Sequence, residues 1–506
     1  MTHDVCLLLE GTYPYVRGGV SSWVHQIIEG LPDLTFSLVF VGGSRKDYGE
    51  PRYPLPRNVR HLETHYLEDA LRDLEPRAAR FPRGKSDDVR AFHAALAKLS
   101  GGCPYRASKQ MESELDALLE AVGRPGGITR EHFLFGAESW DIVREAYGSG
   151  HRGAPFLDFF WTIRLMHGPI FQLAEIAERA PDARAYHTVS TGYAGLLGAL
   201  LAQRRGRPLI LSEHGIYTKE RKIDLNQADW VDAVRPGRAP VPTPGGASSM
   251  RSLWIRYFEG LGKLTYRAAN PIIALYEGNR ARQHQDGADP SRTRVVVNGV
   301  DVDRFVPSLA QRPARTPPTV GLVGRIVPIK DVKTFVRAMR HVVDALPDAE
   351  GVIVGGADEE PAYAAECEAL VRSLGLAERV RFLGHQDVRA IFPQLGVLML
   401  SSVSEAQPLA VLEAFASGVP CVTTDVGACR EQIEGGTDED RALGAAGRVV
   451  PFADAEGLGR AAVELLSSPT RHRACQAAAL TRVRTYYTAE RMLASYRDIY
   501  RHAGEG

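Results

Sequence analysis

Short apolar runs alternate with helical patterns along most of the chain. The run DVCLLLE at 4–10 precedes a glycine turn, the amphipathic stretch WVHQIIEGL and a second run, FSLVFVGG. Short apolar runs bounded by turns are typical of buried strands, and apolar positions three or four apart are typical of helices. The chain therefore opens with a predicted β-α-β unit.

The pattern changes between about residues 44 and 180. Charged helical segments such as MESELDALLEAV alternate there with Gly and Pro breaks, and the one strongly apolar stretch is FLDFFWTIRLMHGPIF. This range is predicted to be a mostly helical insertion. The earlier alternation returns with ARAYHTVS, GYAGLLGALLAQ and PLILSEHG, and the Pro-rich segment APVPTPGGASS is predicted to be a loop.

A second boundary lies at VPSLAQRPARTPPTVGLVGR, where proline-rich linker composition precedes a predicted strand, TVGLV at 319–323. Beyond it the runs EGVIVGG, RVRFLG, GVLMLSS and PCVTTDVG alternate with helical patterns. The predicted fold class is α/β, with doubly wound parallel sheets in two Rossmann-like domains at 1–312 and 313–488. A last helix at 489–506 has room to cross back to the first domain.

Composition narrows the class of protein. Lys plus Arg and Asp plus Glu both number 61, without a long run of one sign, which argues against nucleic acid and anionic membranes as partners. The six cysteines lack C-x-x-C spacing and are interpreted as reduced core residues. The sequence shows no basic leader and no stretch near the roughly 18 apolar residues of a membrane span, so a cytoplasmic location is expected.

The stretch SEAQPLAVLEAFASGVP carries two glutamates, Glu405 and Glu413, in apolar surroundings. In one continuous helix, side chains eight positions apart point about 80° away from each other, so the two carboxylates would not converge. Pro408 favours a helix that begins after it, which leaves Glu405 on the preceding loop. The first helical amides, at Leu409 and Ala410, can then receive an anion such as phosphate. The alternative is a loop glutamate plus a capped or salt-bridged helical one.

Two cations, Arg325 and Lys330, follow the predicted strand in GLVGRIVPIKDVKTF and precede a helix. A guanidinium fork and an ammonium group suit a diphosphate, whose charge needs neutralisation when it departs. The segment lacks the glycine and lysine spacing of a P-loop. The alternative is an ordinary basic pair exposed to solvent.

The first domain offers a glycine turn and two histidines after predicted strands. Gly18 and Gly19 in YVRGGV allow a ligand to approach the backbone closely. His187 in YHTVSTG and His214 in SEHGIYTKER lie at strand ends, the edge where doubly wound sheets bind ligands. A tight turn and two core histidines are the alternatives.

A family resemblance rests on three segments: GRIVPIKDVKTF, SEAQPLAVLEAFASGVPCVTTDVG and VVVNGVDVDRF. Together they resemble the retaining glycosyltransferases of family 4, whose GT-B fold has two Rossmann-like domains facing across a cleft. The resemblance covers the second domain well and the first more loosely. Two further segments, CLLLEGTYPYVRGGVSSWVHQII and SEHGIYTKER, narrow it to the Pel exopolysaccharide subfamily.

The resemblance implies roles for the candidate residues. In the second domain, Glu405 would contact the donor sugar and Glu413 the nucleotide ribose, while two cations would hold the donor diphosphate, namely Arg325 and Lys330. In the first domain, the glycine turn would lie near the phosphates, His187 would line the acceptor side, and His214 is a second match on that side.

The sequence departs from the family pattern at two places. The family's E-G-x-G reads E-A-Q-P at 405–408, so Pro408 offers no N–H and Gln407 is expected to contact the donor's hydroxyls. The family's lysine-glycine reads Lys330-Asp331, which is expected to put an acid near the phosphates.

The resemblance further implies a metal-independent hexosyltransferase that uses a UDP-linked sugar and no cofactor. The DVD at 301–303 is similar to the metal-binding D-x-D of another glycosyltransferase fold, but its setting, NGVDVDRF, matches the metal-free family. The expected partners are the UDP-sugar, a polysaccharide acceptor and membrane-embedded Pel proteins, which would recruit the chain to the inner face of the cytoplasmic membrane. Nucleic acid and a transmembrane segment are not expected.

Two other functions fit the same architecture. A sugar-nucleotide epimerase would act on the donor without an acceptor, and a non-catalytic nucleotide-sugar sensor would keep the ribose contact of Glu413. The presence of both Lys330 and Glu405 favours a transferase over a sensor. The sequence does not decide among UDP-linked glucose, N-acetylglucosamine and N-acetylgalactosamine.

Overall fold

The structure is a computed structural model that describes residues 2–72, 86–100, 128–151, 154–227 and 246–505. The chain forms two compact units. The first unit comprises Met1–Ala274, Arg280–Val295 and Tyr496–Gly506, and the second comprises Leu275–Asn279 and Val296–Ser495. Each unit contains a parallel sheet of its own.

Within the described residues, the first unit contains a seven-stranded parallel sheet in the order β3-β2-β1-β4-β5-β6-β7. Its strands are β1 (His3–Glu10), β2 (Phe36–Gly42), β3 (Val59–Tyr66), β4 (Ala183–Thr188), β5 (Leu209–Glu213), β6 (Ala269–Ala274) and β7 (Thr293–Val295). Every residue of β2 is buried, as expected for a strand covered on both faces. The strand order reverses between β1 and β4, and such a switch point is where open α/β sheets bind ligands.

The helices of the first unit pack on this sheet and on each other. They are Gly19–Gly30, Leu67–Arg72, Ser86–Ser100, Arg130–Phe135, Ala137–Gly150, Phe156–Arg179, Tyr193–Arg205, Tyr217–Gln227 and Gly246–Ala268, and Glu277–Asp286 begins in the second unit and ends in the first. The helix Tyr193–Arg205 is buried from Ala194 to Leu201 without interruption, because it contacts β1, β4 and the helix Gly246–Ala268. An apolar surface all round is typical of such a position.

The predicted helical insertion contains a strand that the apolar pattern does not predict. β3 lies at the edge of the sheet, and its sequence VRHLETHY has no fully buried position. An edge strand with an exposed face lacks the continuous apolar run of a central strand, so the pattern misses it. The segment MESELDALLEAV lies outside the described residues.

The predicted loop APVPTPGGASS also differs in the structure. Residues 239–245 lie outside the described part of the chain, and from Gly246 the chain is helical. Four residues at helical spacing, Met250, Leu253, Trp254 and Tyr257, are all buried. The apolar face of this helix therefore outweighs the loop-like composition at its start.

Across residues 296–495, all of which are described, the second unit contains a six-stranded parallel sheet in the order β10-β9-β8-β11-β12-β13. Its strands are β8 (Thr319–Val323), β9 (Glu350–Val354), β10 (Val380–Gly384), β11 (Val397–Leu400), β12 (Cys421–Thr424) and β13 (Gly447–Val450). Alternate residues of β9 enter separate apolar cores, with Ile353 in one and Val352 and Val354 in the other. The sheet is therefore buried on both faces.

The helices of the second unit alternate with these strands. They are Val306–Ala310, Val332–Ala345, Pro361–Ser373, Val388–Ile391, Leu409–Ala416, Cys429–Glu434, Asp438–Arg441, Ala455–Ser467 and Pro469–Tyr486. The helix Val332–Ala345 buries Phe335, Val336, Met339 and Val342, three or four positions apart, against the sheet side of the unit. Because a helix connects each strand to the next, the strands of this sheet run parallel.

The last helix, Ala489–Glu505, divides between the units. From Tyr496 onward its side chains pack in the first unit. The Tyr496 hydroxyl lies 2.9 Å from Ser212 Oγ, and Arg497 donates to Asp33 at 2.8 Å. The carboxyl-terminal residues thus complete the core of the first unit.

Among the helices of the described residues, none combines the length and the apolar character that crossing a membrane requires. The five cysteines in the described part are buried and free, namely Cys6, Cys367, Cys421, Cys429 and Cys475. Cys103 lies outside it.

Candidate active site

The two candidate cations lie on the loop between β8 and the helix Val332–Ala345. Arg325 follows β8 after one glycine, and Lys330 ends a short 3-10 turn. The next residue, Asp331, has left-handed backbone angles (φ 45°, ψ 53°), and its Oδ1 accepts the Thr334 N–H at 3.2 Å. Aspartate tolerates this conformation better than most residues and caps helices well. The acid expected near the phosphates is therefore turned onto its own helix.

Lys330 and Glu405 form an ion pair at the carboxyl ends of two neighbouring strands, β8 and β11. Glu405 Oε1 accepts from Lys330 Nζ and from Ser402 Oγ, both at 2.6 Å. The exposed fractions of the two charged side chains are only 21% for Lys330 and 11% for Glu405. The structure thus joins two predicted site residues that are far apart in the sequence.

The backbone of the loop that carries Glu405 is held by contacts with the end of β12 and the segment after it. Thr424 Oγ1 donates to the carbonyl of Ser402 at 2.7 Å. Gly427 has a left-handed φ of 55°, and a Cβ there would lie 2.3 Å from the Glu405 carbonyl oxygen. Because only glycine fits this contact, the backbone position of Glu405 is fixed by the neighbouring loop.

The helix Leu409–Ala416 starts directly after Pro408, as the proline predicts. The N–H groups of Leu409 and Ala410 in its first turn have no carbonyl partner within the helix. The positive end of the helix dipole lies at the same place. This turn can therefore bind an anion.

Glu413 lies on the same helix, in a largely buried position. Burial raises the pKa of its carboxyl to about 7, against the opposing effect of the Arg304 charge. Among the described residues, none forms a hydrogen bond or ion pair with this carboxyl. A largely buried carboxyl without a partner is costly, and groups with strongly shifted pKa values cluster at functional sites.

Gln407 is turned into the second unit. Its side chain is buried, and its Oε1 accepts the backbone N–H of Asn298 at 2.6 Å. The oxygen of Gln407 therefore supports the chain's own backbone with one of its two lone pairs, and its contact with the donor's hydroxyls stays a prediction.

Arg325 is paired with an acid that the sequence pattern does not indicate. Its Nη1 donates to both carboxylate oxygens of Glu359, at 2.9 and 2.6 Å. Both side chains are half exposed. Glu359 lies in the loop after β9, and nothing in its local sequence distinguishes it from a solvated surface acid.

Gly18 and Gly19 lie where β1 turns into the helix Gly19–Gly30. A Cβ built on either glycine would meet nothing within 4 Å. Neither has a left-handed φ. The protein itself therefore does not require glycine at these positions, and the space beside them is open to a ligand.

His187 is a fully buried residue of β4. Its Nδ1 lies 2.7 Å from the Tyr500 hydroxyl, and its Nε2 lies 2.9 Å from Ser212 Oγ. Burial lowers the pKa of the ring to about 3, so it stays neutral. Both ring nitrogens are occupied, which is the arrangement of a core histidine and leaves no atom to face a substrate.

His214 differs from His187 in one respect. It follows β5 and packs edge-on against Trp23, with ring centroids 4.5 Å apart. Burial lowers the pKa of the imidazole to about 3. Its Nε2 is buried without a hydrogen-bond partner among the described residues. Of the two histidines, His214 therefore has an unpaired ring nitrogen within the described part of the chain, whereas His187 has none.

Glu10, which the sequence analysis did not select, organises the same edge of the first sheet. It ends β1, and its carboxylate accepts from Ser190 Oγ at 2.8 Å, the Ala194 N–H at 3.0 Å and the Tyr217 hydroxyl at 2.8 Å. Arg221 donates to that hydroxyl at 3.0 Å. The sequence does contain one indication of this role, because Glu10 is the acid that ends the first apolar run at the end of the predicted strand.

The acids at 301–303 serve a local purpose. Asp301 Oδ1 accepts the Arg304 N–H at 3.2 Å, and Asp303 begins a 3-10 turn. In the described part of the chain, no group of three or more His, Cys, Asp or Glu side chains is placed to hold a metal ion. The metal independence of the reaction stays a prediction.

Comparison with known proteins finds relatives over about half of the chain. The lipopolysaccharide core biosynthesis mannosyltransferase LpsB of Rhizobium meliloti is 29% identical over 257 residues, which are 48% of this chain and 69% of the relative. A D-inositol 3-phosphate glycosyltransferase of Salinispora tropica is 29% identical over 288 residues, 51% of this chain and 55% of the relative. The chain thus spans little more than half of the second relative's length.

The crystal structure of HepE from Anabaena in complex with UDP and glucose matches with a TM-score of 0.57 at 15% identity, over 98% of this chain and 99% of that one. At this identity the likeness concerns the fold alone. The two parallel-sheet units and this match confirm the predicted fold class, the GT-B fold. Residues 317–468 match the family described as "Glycosyl transferases group 1". Residues 3–291, more than half of the chain, match the family described as "Domain of unknown function (DUF3492)", and the chain belongs to that family.

Proposed function

We propose that the chain is a retaining glycosyltransferase that moves a hexose or N-acetylhexosamine from a UDP-sugar to a growing exopolysaccharide of the Pel type. The observation that carries the proposal is the largely buried ion pair of Lys330 and Glu405 at the carboxyl ends of β8 and β11, the second of which leads into the helix Leu409–Ala416. Support for the acceptor comes from CLLLEGTYPYVRGGVSSWVHQII and SEHGIYTKER, which resemble the Pel exopolysaccharide biosynthesis glycosyltransferase PelF.

The proposed chemistry is electrostatic. Breaking the anomeric C–O bond moves negative charge onto the diphosphate and positive charge onto the sugar ring. Cations and amides set at the phosphate then stabilise the transition state more than the ground state. Lys330 supplies the cation and the first helical turn supplies the amides. Because Glu405 already holds Lys330 in place, little reorganisation is needed when the donor binds.

Arg325 is proposed to join the diphosphate after it releases Glu359. Their pair is half exposed, and exposed pairs contribute only about 0 to 1 kcal/mol. The guanidinium fork can instead bind two phosphate oxygens at once. A diphosphate can therefore displace Glu359 at small cost.

In a retaining reaction the acceptor hydroxyl attacks the face that the nucleotide leaves. The acceptor oxygen forms the new anomeric bond, the phosphate oxygen departs with the electron pair, and it takes the acceptor's proton. No protein nucleophile is required. Glu405 would contact the sugar, and the NMR coupling constant of the product's anomeric proton tests retention.

The first unit is proposed to contribute His214 and the glycine turn. The Nε2 of His214 is buried and unpaired among the described residues, and it is proposed to bond a substrate hydroxyl after its cover opens. The open space at Gly18 and Gly19 can admit an anionic group. His187 is not carried into this proposal, because both of its ring nitrogens are occupied.

Donor affinity is expected to rise with pH through the titration of Glu413. Its carboxyl keeps a proton up to about pH 7 because burial raises the pKa. The ionised form accepts hydrogen bonds from a ribose diol more strongly than the acid does. If only the ionised form binds, the Kd of a UDP-sugar should fall roughly tenfold between about pH 6 and about pH 8. Calorimetry across this range measures it.

The control for this experiment is Glu413→Gln, which should bind the donor more weakly and with no pH dependence. A UDP-sugar is the better probe than UDP, because its phosphates do not titrate in this range. An equal pH dependence in wild type and Glu413→Gln would contradict the ribose role.

The function itself is tested with a donor panel of UDP-glucose, UDP-N-acetylglucosamine and UDP-N-acetylgalactosamine. At least one is expected to bind, and Glu413→Ala should weaken it about 10- to 100-fold, as loss of a charged hydrogen bond implies. Binding of none would remove the donor assignment. Incubation with the donor alone separates the alternatives: an epimerase would change the sugar, and a sensor would leave it intact even when acceptor is added.

Turnover is expected to persist after metal removal. The proposed site neutralises the leaving group with side chains and amides, so EDTA-treated enzyme should release UDP at the untreated rate. Rate loss that Mn²⁺ or Mg²⁺ restores would contradict this prediction. A metal-dependent glycosyltransferase run in parallel shows that the chelation is effective.

A further inference from the structure

A cluster of aromatic side chains lies at the carboxyl ends of β1, β2 and β3. It consists of Tyr15, Phe40, Tyr48 and Tyr66, and is called the tyrosine cluster. Tyr66 is the last residue of β3, Phe40 belongs to β2, and the other two lie on the loops that leave β1 and β2. The cluster therefore occupies the edge of the sheet where α/β folds bind ligands.

Phe40 forms the buried base of the tyrosine cluster. Its ring centroid lies 4.7 Å from that of Tyr15, 5.1 Å from Tyr48 and 6.4 Å from Tyr66, each in an edge-on arrangement. Tyr48 and Tyr66 are 6.0 Å apart and inclined by only 31°. These spacings are those of favourable aromatic pairs, so the rings hold each other in fixed orientations.

The backbone is shaped to receive one of these rings. A Cβ on Gly42 would lie 2.6 Å from a ring carbon of Tyr48. Any other residue at the end of β2 would push this ring away. The absence of a side chain at 42 thus lets Tyr48 lie against the strand.

The three tyrosines are half-buried, whereas Phe40 is completely buried. The Tyr15 hydroxyl lies 3.0 Å from Thr64 Oγ1. No hydrogen bond to the Tyr66 hydroxyl comes from the described residues. The Arg45 guanidinium lies 5.4 Å from the Tyr66 ring centroid. The surface of the cluster therefore combines ring faces with polar groups.

This combination suits a pyranose chain. A sugar ring presents C–H groups on its faces, which pack on aromatic rings, and hydroxyls on its rim, which need hydrogen-bond partners. Tyrosine offers both kinds of contact at low cost in side-chain entropy. The Tyr15 hydroxyl already bonds Thr64, whereas the Tyr66 hydroxyl has no partner among the described residues and can bond a ligand.

We propose that the tyrosine cluster binds pyranose residues of the polysaccharide acceptor, as a subsite that recognises chain length. The proposal rests on the glycosyltransferase function proposed above. Sugar residues behind the reactive end of the chain would stack on Tyr48 and Tyr66 and bond to their hydroxyls. The site lies in the first unit, which leaves the donor contacts of the second unit unaffected by changes here.

The test uses the full chain and three neutral pentasaccharides, chitopentaose, cellopentaose and maltopentaose, with saturation-transfer NMR and calorimetry. At least one is expected to bind and to receive saturation from tyrosine ring protons. Tyr66→Leu should weaken it by about five- to tenfold through loss of the ring. Tyr66→Phe keeps the packing and should cost roughly threefold through loss of one hydroxyl.

The matched control is Tyr363→Leu. Tyr363 is a half-buried tyrosine of the second unit with Lys333 5.0 Å from its ring centroid, a contact of the same kind as that of Arg45 with Tyr66. It should leave glycan binding unchanged. Binding of no pentasaccharide, or equal binding by wild type and Tyr66→Leu, overturns the proposal. UDP-sugar affinity is measured in parallel: its absence in wild type would overturn the proposed function, whereas its presence without glycan binding would overturn only this subsite.

Discussion

Replacing Lys330 with alanine is expected to lower turnover by roughly 10² to 10³, a barrier increase of about 2 to 4 kcal/mol, comparable to losing one oxyanion donor. Lys330 is held by a largely buried carboxylate, so its charge is poorly screened by water. The same range is expected for Arg325→Ala, which removes the guanidinium that Glu359 holds in the free chain. UDP release from the best donor of the panel, at saturating donor, measures the effect.

Lys333→Ala is the matched control, because Lys333 lies three positions away and pairs with Glu366 at 2.6 Å on the helix surface. It should retain near-normal turnover. Thermal unfolding of each variant checks that the fold persists. Near-normal turnover in folded Lys330→Ala and Arg325→Ala would remove the leaving-group role.

Arg482→Ala is expected to lower the free energy of unfolding of the second unit by about 3 to 5 kcal/mol, because it leaves a buried aspartate without its partner. The Arg482 side chain is completely buried. Its Nε donates to Asp440 Oδ1 at 2.6 Å, and its other nitrogens donate to the carbonyls of Ile433, Asp440 and Gly444. The short helices Cys429–Glu434 and Asp438–Arg441 are thus fastened to the helix Pro469–Tyr486.

The measurement can separate the two units, because none of the five tryptophans of the chain lies within residues 296–495. Tryptophan fluorescence then follows the first unit, and hydrogen exchange of peptides from β11 and β12 follows the second. Arg484→Ala, an exposed arginine on the same helix, should change neither. The double variant Arg482→Met with Asp440→Leu should lose less stability than Arg482→Ala; an equal loss would contradict the explanation by an unpaired charge.

The parts of the fold that could be predicted are those with one strong local signal. The five residues of β8, TVGLV, lie between a proline-rich linker and a glycine, and the strand has the predicted limits. β3 has no such signal, because it is an edge strand whose residues are exposed or only partly buried. Local composition also predicted a loop where a helix begins at Gly246. The structure there depends on the apolar side chains that pack further along the same helix.

The candidate site also has one part that the sequence predicts and one part that only the structure shows. Position after a predicted strand selected Lys330 and Glu405, the family resemblance gave them roles, and the structure places them in contact. The sequence could not reveal which polar side chains turn inward, since the partner of His187 is Tyr500 and the partner of Gln407 is the backbone of Asn298. Such distant pairings depend on the complete fold. The same holds for Glu359, whose pairing with Arg325 joins separate loops.

The dependence of the first unit on Tyr496 and Tyr500 affects how the chain folds during synthesis. Its strands leave the ribosome first, but the tyrosines that contact Ser212 and His187 come only after residues 296–495 have been translated. At about 5 to 20 residues per second this is a delay of roughly 10 to 40 s. During that interval the nascent first unit has an unfinished core with polar atoms open to water. A stop codon that removes the last eleven residues, 496–506, would make this condition permanent.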